Sequence, residues 1–407
     1  MLTIEEAQAV VLAAVATLPS ERIPLLQALG CVLAEPVVAP IQLPPFDNSA
    51  MDGFAVVAED TRGATPESPS RLEVLEDVPA GATPERQVQP GTATRVMTGA
   101  PISPGADAVV IVEHTRPGLS GTVEVFVPAA PGDNIRPAGE DIAAGQAALS
   151  PGQVLGPGEL GLISALGQTH VTAIRRPRVA IITTGSELVE PGQELRPGTI
   201  YNSNRAAIAA SVLRSGWEVA HCLHVADDES ALEQALRGCA DADLLLTTGG
   251  VSVGEHDFVK TVLARIGDIK FWRVLMKPGK PVAFGTVFGR PLFGLPGNPV
   301  SALVTFEMLV APALRRMSGR QSCLPLTVQA RLLSDVRHRP GRREYRQSIA
   351  SYSDGDLVVE PSEKRGSAML TSTVGANSLL VIPEESTGLH AGERVTVVLL
   401  GHGGGEL

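Results

Sequence analysis

Between residues 175 and 319 the chain repeats one pattern: a short apolar run, a glycine-containing loop, then a helical stretch. RVAIITTGSE leads to NRAAIAASVLRSG, ADLLLTTGG to HDFVKTVLARIG, and PLFGLPGNP to VSALVTFEMLVAPALRR. Strands that alternate with helices in this way predict a parallel sheet with helices on its faces. Ligands of such sheets bind beyond the carboxyl ends of the strands, and that is where these loops fall.

With 407 residues the chain exceeds what one core organises, so two to four domains are expected, in a multidomain α/β plus β architecture. Residues 46–141 read as a small β-rich domain, from short apolar runs such as RLEVLEDV and TVEVFV between Gly and Pro clusters. Residues 325–402 read as a second β domain, barrel-like, from LTVQARLL, DLVVEP, SLLVIP and RVTVVLL, with GHGGGEL as a frayed tail. Residues 1–45 and 142–174 are expected to form a helical connecting part. Thr3 and Glu6 have capping-box spacing, ahead of a helical alternation that runs to residue 18.

Charge and composition exclude several classes. Acidic residues outnumber basic ones 44 to 33 and only 3% are aromatic, so neither phosphate-backbone attraction nor base stacking is provided for, and no nucleic-acid partner is expected. Cys31, Cys222, Cys239 and Cys323 are far apart and form no CxxC, which argues against a zinc knuckle and a disulfide framework. No apolar run approaches about 18 residues and the start has no leader pattern. The expectation is a cytoplasmic protein without a membrane partner.

Three groups of residues carry candidate chemistry. In PLFGLPGNPVSA, Asn298 suits the N-cap and Pro299 the first helical position, so free N–H groups and Ser301 face the region beyond the strand. That is an anion site, although an ordinary capped helix has the same signals. In FWRVLMKPGKPVAFG, two of only five lysines, Lys277 and Lys280, flank Gly279. If residues 273–277 are one strand, Arg273 joins them on the same side. The choice there lies between an oxyanion site and a solvated basic loop. The acidic group comprises Glu187, Asp227, Asp228, Glu255 and Asp257, each after an apolar run. Gathered at one sheet edge, carboxylates suit Mg²⁺, and singly they complement a helix N-terminus. The TTGGVSVG loop, with Gly249 and Gly250, matches neither GxGxxG nor GxxxxGK[ST], but its backbone N–H groups still suit phosphate.

These stretches, together with FDNSAMDGFAV, VMTGAPISPGADAVV and NIRPAGEDI, occur in an order that closely resembles the MoeA and gephyrin E-domain family, the molybdopterin molybdenumtransferases. REYRQ and KRGS extend the match into the last domain. The resemblance implies an elongated, four-domain homodimer whose central domain is of the molybdopterin-binding type and whose helical part dimerises. It also implies molybdenum cofactor biosynthesis, in which molybdate is inserted into adenylylated molybdopterin with release of AMP and help from Mg²⁺ or another divalent cation. By residue, it implies that Lys277, Lys280, Ser301, Arg346 and Ser367, with Gly249, Gly250 and Asn298, surround molybdate and phosphate oxygens. Glu187, Asp227 and Asp257 then form the metal end. Asp52, Thr98, Arg136 and Asp141 match positions thought to reach the partner subunit's cleft, while Asp47 and Asn48 close a turn. Arg273 stands where many relatives carry Lys. Expected protein partners are a molybdopterin adenylyltransferase and molybdoenzyme maturation proteins. The competing readings are a molybdopterin adenylyltransferase itself and a non-enzymatic scaffold of the gephyrin type.

Overall fold

The structure, a computed structural model, describes residues 1–250, 258–364 and 366–401. It comprises two compact units: Met1–Arg22 with Gly30–Ala34 and Thr172–Leu407, and Ile23–Leu29 with Glu35–Val171.

In the first unit six strands form one sheet: β1 (Arg178–Thr184), β2 (Glu218–Val225), β3 (Leu244–Thr248), β4 (Gly267–Arg273), β5 (Pro281–Val287) and β6 (Arg290–Leu295), in the order β2-β1-β3-β6-β5-β4. The expected parallel α/β arrangement is present in β2, β1, β3 and β6, with one addition: β5 runs antiparallel to both its neighbours. Its cause is local. Phe288 and Gly289 have φ of 50° and 74°, and a two-residue turn with both φ positive has the twist of a hairpin, so β5 and β6 run in opposite directions.

Successive strand residues point to opposite faces, so a sheet covered on both sides needs near-continuous apolar runs. Ile181, Leu244, Leu246 and Phe293 pack on one face against Ile4 and Val11 of the N-terminal helix and Leu309 and Leu314 of the run that follows β6. Ile182, Leu245 and Ala283 pack on the other against Leu232, Leu236, Val259 and Leu263. The N-terminal helix, Ile4–Ala14, has the predicted box: Thr3 N–H donates to Glu6 Oε2 at 2.9 Å and Glu6 N–H donates to Thr3 Oγ1 at 3.2 Å. It stops short of residue 18 because Val15 is extended, with ψ of 137°.

A second sheet in this unit closes on itself. Arg343–Ser353, Asp356–Pro361, Thr327–Leu332, Arg394–Leu399 and Ser378–Ile382 pair in that order, and Ser378–Ile382 pairs again with Arg343–Ser353. The sixth strand, Met276–Lys277, comes from the β4–β5 connection and lies parallel to this barrel, with Lys277 opposite Glu344. A residue of the α/β sequence is thereby held by the barrel's backbone.

The second unit contains a six-stranded sheet in the order Ala108–Ile111, Gly53–Val56, Thr92–Val96, Ser70–Val78, Thr122–Val125 and Thr115–Pro117, together with the helix Pro157–Ala165. Among the described residues no helix is long and apolar enough to cross a membrane.

Candidate active site

Within the first unit the loops after β1, β3 and β6, the 277–280 turn and two barrel loops line one cavity of about 1330 Å³. It lies beyond the carboxyl ends of the parallel strands, where the alternation pattern predicts a site.

The loop after β3 is built on glycine. Gly249 has φ of +95°, and a Cβ there would lie 2.5 Å from the Thr184 carbonyl oxygen at the end of β1. Gly250 has φ of +62°, and its Cβ would lie 2.2 Å from Val259 Cγ2. Only a residue without a side chain lets these strand ends approach so closely. Gly249→Ala is therefore expected to destabilise the loop by at least about 2 kcal/mol and to weaken anion binding, read by denaturation and by molybdate titration. Wild-type values in both would show that the loop accommodates a Cβ.

The cationic wall is organised by Glu344, which the sequence reading did not single out. Its Oε2 accepts from Lys277 Nζ at 2.8 Å and faces His338 Nδ1 at 2.9 Å, while Oε1 accepts from Arg346 Nε at 3.0 Å and Nη2 at 2.7 Å. Burial alone would raise this carboxyl, but the hydrogen bonds from Lys277, Arg346 and His338 outweigh it and hold it at about 2. Glu344 is therefore an anion that fixes three donors. Its signal was present in REYRQ: Glu344 and Arg346 are two apart, hence on one side of a strand. Arg337, Arg339, Arg342 and Lys364 add further positive charge to the wall and were likewise missed.

Lys280 lines the same cavity, and among the described residues its ammonium has no ion-pair partner. Arg273 does not join it. The strand breaks after Arg273, where Val274 N–H bonds the Lys280 carbonyl and Leu275 N–H the Leu2 carbonyl, so the expected alternation from 273 to 277 is interrupted and Arg273 is exposed at the end of β4. Two of the three anticipated cations converge.

Asn298 stands at the N-cap of the helix Pro299–Thr305 but makes no side-chain cap bond. Its Nδ2 donates instead to Ser367 Oγ at 3.0 Å, and Val300 N–H donates to the Ser367 carbonyl at 3.1 Å. This departs from the expected free helix start. The barrel loop occupies part of it. Ser301, buried, and Ser367 both line the cavity.

Glu187 and Asp227 lie on the acidic side of the cavity and are exposed. Asp227 Oδ2 accepts the Ser186 N–H at 2.9 Å, which ties the loop after β2 to the loop after β1. Asp257 and Glu255 fall outside the described residues. Among the described residues no three His, Cys, Asp or Glu side chains are grouped to hold a metal. A pair of carboxylates still fits Mg²⁺, which uses one or two carboxylates and completes its shell with water and phosphate oxygen. Asp228 caps the helix Glu229–Gly238 by accepting the Ala231 N–H, the helix-capping role weighed for such acids.

The other four predicted residues lie in the second unit. Asp52 Oδ1 accepts the Thr98 backbone N–H at 2.7 Å and the Thr98 hydroxyl at 2.8 Å, and these bonds hold the Asp52 carboxyl below its ordinary range. A Cβ at Gly53 would lie 2.1 Å from the Val110 carbonyl oxygen, so the glycine beside Asp52 lets two strands meet. Asp47 Oδ1 accepts the Ala138 N–H at 2.7 Å and Asn48 Nδ2 donates to the Phe46 carbonyl at 3.1 Å, so FDNSAMDGFAV is anchored to NIRPAGEDI. Arg136 and Asp141 are exposed in that second stretch.

A cavity lined by Lys277, Lys280 and Arg346 together with Glu187 and Asp227, at the carboxyl edge of an α/β sheet, defines a multidomain enzyme that handles an anionic small molecule. Family profiles match in sequence: the MoeA N-terminal region (domain I and II) over residues 2–167, the probable molybdopterin binding domain over 180–316, and the MoeA C-terminal region (domain IV) over 329–400. The chain belongs to the MoeA family of molybdopterin molybdenumtransferases and is a transferase of molybdenum cofactor biosynthesis. It is 42% identical over 405 residues to molybdopterin molybdenumtransferase 2 of Mycobacterium tuberculosis, covering 98% of this chain and 99% of the relative. It is 36% identical over 409 residues to molybdopterin molybdenumtransferase of Haemophilus influenzae, covering 99% of each. The molybdopterin biosynthesis MoeA protein of Pyrococcus horikoshii superimposes with a TM-score of 0.81 at 33% identity, over 98% of this chain and 100% of that one. Profiles that extend beyond residues 180–316 on both sides favour this family over the adenylyltransferase reading.

Proposed function

We propose that the protein inserts molybdate into adenylylated molybdopterin with release of AMP, in the cavity of the first unit. The observation that carries this reading is the Glu344 hub, which fixes the Lys277 and Arg346 cations on a cavity that Lys280 also lines. Molybdate and phosphate are compact oxyanions, and clustered cations with fixed hydrogen-bond directions are what bind them. Ser301, Ser367 and the backbone of Gly249 and Gly250 supply neutral donors around the same space. No side chain need act as a covalent nucleophile, because holding two reactants together supplies much of the rate.

Glu187 and Asp227, with Asp257, hold Mg²⁺ or another divalent cation in this reading. When bound, such an ion polarises the phosphate linkage and neutralises its charge. In a homodimer, Asp52, Thr98, Arg136 and Asp141 of one subunit face the cleft of the other, where a preorganised carboxylate accepts the N–H groups of a pterin. A cytoplasmic setting agrees with the thiols of Cys222, Cys239 and Cys323, which form no disulfide, and a molybdopterin adenylyltransferase is the natural supplier of the adenylylated substrate.

The test is AMP release from adenylylated molybdopterin and Mg²⁺, followed with and without molybdate. Release that depends on the oxyanion is expected. Binding of the intermediate with no release under any metal would favour the scaffold reading, and ATP consumption without molybdate dependence the adenylyltransferase reading.

A further inference from the structure

The His338 side chain is 1% exposed and belongs to the cavity wall. Its Nδ1 lies 2.9 Å from Glu344 Oε2, and its Nε2 has no hydrogen-bond partner among the described residues. Glu344 is ionised and only accepts, so Nδ1 carries hydrogen and donates. In the neutral ring Nε2 is then a buried lone pair, and in the charged ring it is an N–H. A buried nitrogen without a partner is costly unless a ligand completes it.

We propose that His338 contacts the bound oxyanion and couples its binding to protonation: Nε2 takes one proton from solvent as the oxyanion arrives and donates the new N–H to it. The inference rests on the oxyanion reading of the cavity. The charged groups around the ring set its sign. Glu344 favours a proton on the imidazole. Lys277 and Arg346 at the shared carboxylate, Arg337, Arg339 and Arg342 from the histidine's own loop, and Lys280 and Lys364 from other walls oppose it, while Glu187 and Asp227 also line the cavity. A dianion placed among these cations offsets their repulsion and accepts a charge-assisted hydrogen bond, so the bound state holds the proton more tightly than the free state. Affinity is then greatest at low pH and falls as pH rises, by up to about tenfold per pH unit for one coupled proton.

Calorimetric titration of the full chain with molybdate, in buffers of different ionisation enthalpy, counts the protons taken up. Wild type is expected to take up as much as one proton and to lose affinity as pH rises. His338→Gln keeps neutral hydrogen bonding to both sides without titrating, and is expected to show neither proton uptake nor a pH slope beyond about twofold. A second reading uses wild type alone: in ¹⁵N-labelled histidine spectra one of the eight histidines moves from a lone-pair to an N–H signal as molybdate is added. An unchanged proton count in His338→Gln, or no histidine responding in wild type, overturns the inference. Binding that is independent of His338 overturns this inference alone, whereas no molybdate binding to wild type at any pH overturns the oxyanion reading with it.

Discussion

Glu344→Ala is expected to cost the first unit about 3–5 kcal/mol and to abolish oxyanion binding in the same variant. Three donors converge on this carboxylate, and they differ in what they can do without it. Lys277 is 47% exposed and can turn to water, but the Arg346 side chain is 7% exposed and His338 1%, so these two remain buried without their shared partner. An unpaired buried guanidinium carries the larger part of the penalty. Denaturation followed by circular dichroism reads the stability, and calorimetry the binding. Glu344→Gln, which keeps shape and loses charge, should fall between wild type and Ala. A wild-type denaturation midpoint in Glu344→Ala would mean that water replaces the carboxylate at no cost.

The same residue sets a pH dependence. Its carboxyl is held at about 2, below the ordinary value of 4.5. A depressed carboxylate stabilises fully above its unfolded value and loses that contribution as pH falls toward the folded value. Wild-type stability should therefore decline between about pH 4.5 and 2, with that part of the decline missing in Glu344→Ala. Identical acid profiles would remove Glu344 from the account.

Lys280→Ala is expected to lower molybdate-dependent AMP release by about 10²–10³-fold while leaving the denaturation midpoint where it is. The separation of these effects follows from the contacts. Lys280 is half-buried in the cavity wall and has no ion-pair partner among the described residues, so its removal strands no opposite charge. What disappears is a point charge aimed at the ligand space. Lys280→Arg restores charge with a planar, forked donor set in place of a compact one, so partial activity is expected. Full activity in Lys280→Ala would show that the Glu344 hub alone positions the oxyanion.

Local sequence determined the elements and nominated the loops. Apolar runs followed by glycine and a helical period specify strand, turn and helix within about 30 residues, and the short-range contacts of each element make that information sufficient. The capping box at Thr3 and Glu6, the glycines at 249 and 250, and the Lys277–Lys280 turn were legible for this reason. The resemblance of their order supplied the family. Asp52 and Thr98 were named from that resemblance, but their direct hydrogen bond joins residues 46 apart and follows from no local pattern.

Tertiary structure decided the rest. Arg273 and Lys277 share a period that the strand break cancels, and Asn298 is a capping residue whose amide is drawn off by Ser367, 69 residues later. Lys277 and Glu344 are 67 residues apart, and only the parallel register between the β4–β5 connection and the barrel sets them side by side. His338 and the barrel-loop cations were invisible as a site because each alone is a basic residue in a basic stretch, and the spacing of Glu344 to Arg346 in REYRQ named no third partner. Chain closure over long separations and exact strand register bring them together, and neither is encoded in the spacing of neighbouring residues.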